Sequence, residues 1–179
     1  MVKTTRFIVN TQINTIKRSK TVFLIRHSKS CWDNELTDFE RPIKKRGIVD
    51  ANLVSNYLKN SEINPELILC SSAERAKLTA EIFIKNLALA SVNIKYLKEL
   101  YDFSGESLLR VIESCNNSFD SVMIFGHNFA LTNCANNLGD THIENVTTSG
   151  FVKINFEANS WKNLPKGKTE KIVFPKHLK

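Results

Sequence analysis

The chain has 179 residues, 42% apolar and 24% charged, with six Gly and four Pro; that length holds one domain with a full core, and the composition excludes collagen-like and strongly disordered classes. No apolar stretch approaches the roughly 20 residues needed to cross a bilayer. The net charge of +7 invites a nucleic-acid reading until it is divided: residues 1–20 carry five basic groups and no acid, residues 161–179 six and one, and residues 21–160 fourteen and seventeen. A central region with more acid than base argues against a broad phosphate-backbone footprint, so no specific nucleic-acid partner is expected.

Residues 1–20 form a basic extension without the apolar core of a secretory signal; the chain is expected in the cytoplasm, with an organellar transit peptide as the alternative. Residues 21–179 make the single domain, expected to be monomeric. TVFLIR, residues 21–26, is the first strand, and the polar stretch SKSCWDNELTDFERP after it is a loop of functional length. Apolar positions from Lys44 to Leu58 recur at helical spacing, with Asn52, Asn56 and Asn60 on the solvated side. Leu67–Cys70 is a second buried strand. A helix follows from about Ala73 toward Leu89, and Ser71 with Glu74 has capping-box spacing. A short strand spans 92–97, a helix starts near Glu106, and a strand at 121–125 runs into Gly126-His127-Asn128. A helix from Ala130 to Leu138 and strands at 148–156 and 169–174 complete the chain. Strands alternating with helices predict an α/β three-layer sandwich, a mostly parallel sheet with helices on both faces. Cys31, Cys70, Cys115 and Cys134 show no metal-ligand or C-x-x-C spacing and read as free thiols in a reducing compartment.

Three strand ends carry nitrogenous side chains: LIRHS, LCSSAER and IFGHN. In an open α/β sheet, ligands bind outside the carboxyl ends of the strands, so Arg26, His27, Arg75 and His127 are expected in one crevice. A guanidinium fork matches phosphate oxygens. An imidazole nitrogen can attack phosphorus while its other nitrogen is held by a backbone carbonyl, and a second, protonated imidazole can bind the equatorial oxygens.

Through LIRHSKS, SSAERAKLTAE and FGHN the chain resembles the histidine phosphatase superfamily, the phosphoglycerate-mutase-like group. CWDNELTDFERPIKKRGIVDA resembles its small branch related to SixA-type phosphohistidine phosphatases. The likeness spans roughly residues 21–175. It implies a phosphoglycerate mutase-like fold without a large lid insertion, with His27 as the nucleophile that becomes phosphorylated. Arg26, Arg75 and His127 complete the phosphate pocket, and neither metal nor cofactor is required. Ser28 stands where many members have Gly. The region that supplies a carboxylic acid in larger members is short here: Glu99 is the best positional match, with Asp33 and Asp38 as alternatives. Arg41 either reaches phosphate or locks its loop through a carboxylate. Ser28 and Asn128 are read as supporting groups, Asn128 as fixing His127. Trp32 packs the first loop or lines the mouth, Trp161 anchors the C-terminal segment, and His142 and His177 are assigned no role.

The expected activity is metal-independent phosphoryl hydrolysis, with protein phosphohistidine as the substrate because a small domain leaves an open pocket. A small-metabolite phosphomonoesterase is the alternative, and a non-catalytic phosphate-binding module a third reading that an intact His27 disfavours.

Overall fold

The computed structural model describes residues 19–32 and 35–179. Most of the N-terminal extension, and Asp33, lie outside the described residues. Among those described, six strands form one sheet: β1 (Lys20–Arg26), β2 (Leu67–Ser71), β3 (Asn93–Leu97), β4 (Ser121–Gly126), β5 (Phe151–Phe156) and β6 (Lys168–Val173), in the order β3-β2-β4-β1-β5-β6. The β3, β2, β4 and β1 strands are parallel, β5 lies antiparallel to β1, and β6 antiparallel to β5. The helices are α1 (Lys45–Leu58), α2 (Glu74–Asn86), α3 (Glu106–Glu113) and α4 (Ala130–Leu138). No large insertion interrupts this alternation, and no described helix is long and apolar enough to cross a membrane.

Side chains of a strand alternate between faces, and β1 shows the consequence. Phe23 and Ile25 join Ala51, Val54 and Leu58 of α1 and Ala76, Ala80 and Phe83 of α2 on one face. Val22 and Leu24 join Leu108 and Ile112 of α3 and Leu131 and Cys134 of α4 on the other. The continuous apolar runs of β1, β2 and β4 are those of strands covered on both faces.

Three local expectations change. Lys20, assigned to the extension, begins β1 and is fully buried, its ammonium bonded to Asp120 at 2.7 Å and to the Asn117 and Phe119 carbonyls, with the Trp161 ring 5.3 Å away. Trp161 is itself buried and donates through Nε1 to the Phe119 carbonyl at 2.9 Å, which anchors the C-terminal segment as expected. Asn52 is not merely solvated: its Oδ1 accepts from Asn86 Nδ2 at 2.9 Å and ties α1 to α2. The strand expected over 148–156 starts only at Phe151, because Ser149 turns the chain with φ +59° and donates its N–H to the Arg26 carbonyl at 3.1 Å.

Candidate active site

Parallel pairing fixes where the strand ends fall. Arg26 stands opposite Gly126, Cys70 opposite Phe125, and the His27 N–H donates to the Gly126 carbonyl at 3.0 Å. The chain therefore leaves β1, β2 and β4 at one edge. A cavity of about 520 Å³ opens there, its walls including Arg26, His27, Asp38, Arg41, Arg75 and Tyr101.

His27 follows the last residue of β1. Its Nδ1 lies 2.8 Å from the Ser28 carbonyl, which accepts only if that nitrogen carries the hydrogen, so Nε2 keeps its lone pair. Arg75 Nε lies 3.3 Å from that Nε2. Ser28 is buried and holds the turn: its N–H donates to Thr79 Oγ1 at 2.9 Å, and its hydroxyl meets Ser149 Oγ at 2.7 Å. The hydroxyl absent from a glycine at this position is thus satisfied inside the fold.

His127 is 1% exposed and stands behind the cavity wall, its ring centroid 4.9 Å from that of His27, with the Tyr101 and Phe103 rings 5.2 and 5.4 Å away. Ser71 does not close a capping box, since α2 has Ala73 at its N-cap and no side-chain cap bond. Its hydroxyl instead accepts from the Ala73 N–H at 3.3 Å and meets His127 Nε2 at 2.8 Å. The other ring nitrogen of His127, Nδ1, is buried without a protein partner.

Both imidazoles are held neutral. Burial, opposed by the Ser28 carbonyl and reinforced by the arginine charges, brings His27 down to about 3; burial, then the neighbouring His27 and Arg75, brings His127 down to about 2. The protonated second imidazole expected from sequence is therefore disfavoured in the free pocket. In the unfolded chain both rings protonate near pH 6.5, so the unfolded state binds more protons between that value and about pH 3. Stability is accordingly expected to fall as pH drops through this window, by up to about 1.4 kcal/mol per pH unit for each histidine. Urea unfolding from about pH 7 to pH 4 checks this: a His27→Asn/His127→Asn double variant flattens the slope, and an unchanged slope contradicts the assignment.

Arg26 donates from Nη1 to the Val146 carbonyl at 2.8 Å and Asn145 Oδ1 at 3.3 Å, while its buried Nε has no protein partner. Asn128 does not fix His127. It donates to Asn145 Oδ1 and accepts from Thr132 Oγ1 at 2.6 Å, steadying the residue that meets Arg26. Arg41 lines the cavity and also locks its loop: it bonds Ser30 Oγ at 2.7 Å, Asp38 through Nε at 3.1 Å, and stacks on Trp32 with the guanidinium carbon 3.5 Å from the ring centroid.

Glu99 is exposed on the short turn after β3 and does not line the cavity. The carboxylate in the pocket is Asp38, brought there because the Glu74 N–H at the start of α2 donates to the Phe39 carbonyl at 3.0 Å. Asp38 accepts from Arg75 Nη2 at 2.9 Å, from Arg41 and from the Tyr101 hydroxyl, and its backbone carbonyl accepts from Arg75 Nη1. Partial burial pushes its carboxyl up, but the Tyr101 and Arg41 hydrogen bonds and the Arg75 charge together hold it well below the usual range, so it is ionised. Tyr101, Asn145 and Val146 are further site residues without a sequence signal, because each arrives from a loop of no recognisable pattern. Among the described residues, no group of three or more His, Cys, Asp or Glu side chains is arranged to hold a metal ion.

Comparison with known proteins agrees with this arrangement. Residues 22–120 match the model of the histidine phosphatase superfamily (branch 1), and the chain belongs to that family. An uncharacterized chloroplastic protein of Arabidopsis thaliana is 28% identical over 152 residues, 80% of this chain and 69% of the relative. The fold is similar to that of a protein histidine phosphatase SixA solved with tungstate, at TM-score 0.71 and 25% identity over 89% of this chain and 99% of that one. It is also similar to a putative phosphohistidine phosphatase SixA from Agrobacterium tumefaciens, at TM-score 0.72 and 22% identity over 86% and 97%. The chain is thus a protein of the histidine phosphatase superfamily with a SixA-like, phosphoglycerate mutase-like α/β fold.

Proposed function

We propose that this chain hydrolyses protein phosphohistidine through a covalent phosphoryl group on His27. The observation that carries the reading is the state of His27: a neutral imidazole, fixed through Nδ1, with Nε2 beside the Arg75 guanidinium on a cavity wall. The Nε2 lone pair attacks phosphorus, and the bond to the leaving nitrogen breaks with its electron pair going to that nitrogen. His27 becomes a phosphorylated imidazolium, stabilised by the Nδ1–H bond to the Ser28 carbonyl. Water then attacks phosphorus, the P–Nε2 bond returns its pair to Nε2, and both water hydrogens leave with dihydrogen phosphate. Arg26 and Arg75 stabilise the equatorial oxygens, with His127, whose Nδ1 has no protein partner, standing behind them.

Leaving-group chemistry supports phosphohistidine. A sugar alkoxide needs a proton as it departs, and the ionised Asp38 has none to give. A phosphoimidazole protonated on its far nitrogen departs as neutral imidazole without any donor. The cavity mouth supports a protein substrate, for Lys29 and the exposed Trp32 and Phe103 line it without a covering insertion. The volume, about 520 Å³, also suits a small phosphomonoester, which stays the second reading. In this reading the protein acts as a monomer in the cytoplasm, or in an organelle as the chloroplastic relative suggests.

Initial rates on a phosphohistidine protein, a phosphohistidine peptide and a panel of sugar and nucleotide monophosphates test the assignment. The expected kcat/KM is highest on the phosphohistidine protein, by at least about a hundredfold over the best metabolite. A metabolite turned over faster than both phosphohistidine substrates overturns it.

A further inference from the structure

We propose that the Asp38 carboxylate is an exchangeable counter-anion: a phosphoryl group enters by taking Arg75 and Arg41 from it, and inorganic phosphate leaves as it takes them back. The proposal rests on the phosphatase reading above and deepens it by assigning what limits the hold on product. Asp38 acts through the two arginines and is a positioning residue.

The geometry is that of an occupied anion site. Arg75 and Arg41 are 2% and 8% exposed in their side chains, and the partner carboxylate they share is Asp38. Asp38 Oδ1 takes two donors of Arg41, and Oδ2 takes Arg75 Nη2 and the Tyr101 hydroxyl, which fills the four acceptor positions of a carboxylate. A buried guanidinium without a counter-anion is costly, so the carboxylate stabilises the free pocket. Unlike its partners, Asp38 is 42% exposed in its side chain and sits in the irregular loop between the bridge residues Ser30 and Ile43. Water can therefore solvate it when it lets go.

Charge sets the direction of exchange. A phosphoryl dianion offers two charges and three oxygens where Asp38 offers one charge and two oxygens, and it also offers an acceptor to Arg26 Nε, which Asp38 leaves without a partner. Entry is thus favourable. A pocket of Arg26, Arg41 and Arg75 with no internal anion would hold inorganic phosphate tightly and stall after hydrolysis. With Asp38 present, Arg41 and Arg75 regain a carboxylate partner as phosphate departs.

Calorimetric titration with tungstate, an unreactive tetrahedral dianion, separates this role from simple orientation of the arginines. Asp38→Asn is expected to bind tungstate at least about tenfold more tightly than the native protein, with kcat and KM both lowered and inorganic phosphate a stronger inhibitor. If Asp38 only orients Arg75 and Arg41, the same variant binds tungstate more weakly or equally, and the proposal fails. A second readout uses the native chain: Trp32 stacks on Arg41, so tungstate is expected to change tryptophan fluorescence in the native protein and not in Trp32→Phe. No change in the native protein overturns the exchange. Tungstate binding requires no turnover, so a protein that shows the exchange yet hydrolyses no phosphoryl donor refutes the phosphatase reading alone.

Discussion

Replacing His27 with Asn is expected to lower turnover of any phosphoryl donor by at least about ten-thousandfold, because the nucleophile and the group it regenerates are the same atom. Asparagine keeps a polar side chain of similar reach but has no lone pair of imidazole basicity. The fold should persist, since His27 contributes no core packing and its backbone N–H bond to the Gly126 carbonyl is untouched. Arg26, Arg75 and His127 also survive, so the variant should still bind tungstate. Calorimetry alongside turnover therefore distinguishes a missing nucleophile from a collapsed pocket. A variant retaining even a hundredth of native activity would require another nucleophile.

The second large effect falls on Arg75. Lysine keeps the positive charge but cannot reproduce three donors aimed at the His27 Nε2, Asp38 Oδ2 and the Asp38 carbonyl. Arg75→Lys is expected to lower kcat/KM by about a hundredfold to a thousandfold, the range for losing one preorganised oxyanion donor. Arg75→Ala should lose more, and should also destabilise the protein by about 1–3 kcal/mol, held to that range because Asp38 is partly solvated once its partner is gone. Steady-state kinetics with urea unfolding on both variants checks the two numbers separately. Equal activity of Arg75→Lys and the native chain would remove the fork from the mechanism.

How far the sequence can be read depends on what each residue answers to. The strands β1, β2 and β4 are legible as apolar runs because both sheet faces are covered, and their shared direction carries Arg26, His27, Arg75 and His127 to one edge. Those four stand out in short punctuated motifs at strand ends. What is not legible depends on contacts between distant loops. Asp38 and Glu99 are both carboxylates near plausible turns, and nothing local says that the Phe39 carbonyl caps the start of α2 and carries Asp38 to Arg75. Ser71 illustrates a different limit. Its spacing from Glu74 fits a capping box, yet the Glu74 N–H goes to the Phe39 carbonyl and the Ser71 hydroxyl meets the Ala73 N–H and the buried His127 Nε2, partners that only the tertiary fold supplies. Asn128 belongs to the site as its motif implies but serves another partner, since Asn145 arrives from a loop without periodic pattern.

The charge state of the imidazoles cannot be read from residue types either. Two histidines among three arginines can stabilise a phosphoryl group as cations or as neutral donors, and only burial decides which. The neutral form suits a nucleophile that must offer its lone pair, and it leaves the arginines to supply the positive charge.

The central claim is that phosphate passes through His27. Rapid quenching of the native protein with an excess of a phosphohistidine peptide, followed by peptide mapping by mass spectrometry under conditions that preserve acid-labile phosphoramidates, tests it most directly. The account predicts a phosphoryl group on the peptide containing His27, formed at least as fast as steady-state turnover and absent from His27→Asn. Turnover that proceeds with the phosphoryl group on His127, or on no residue at all, would contradict it.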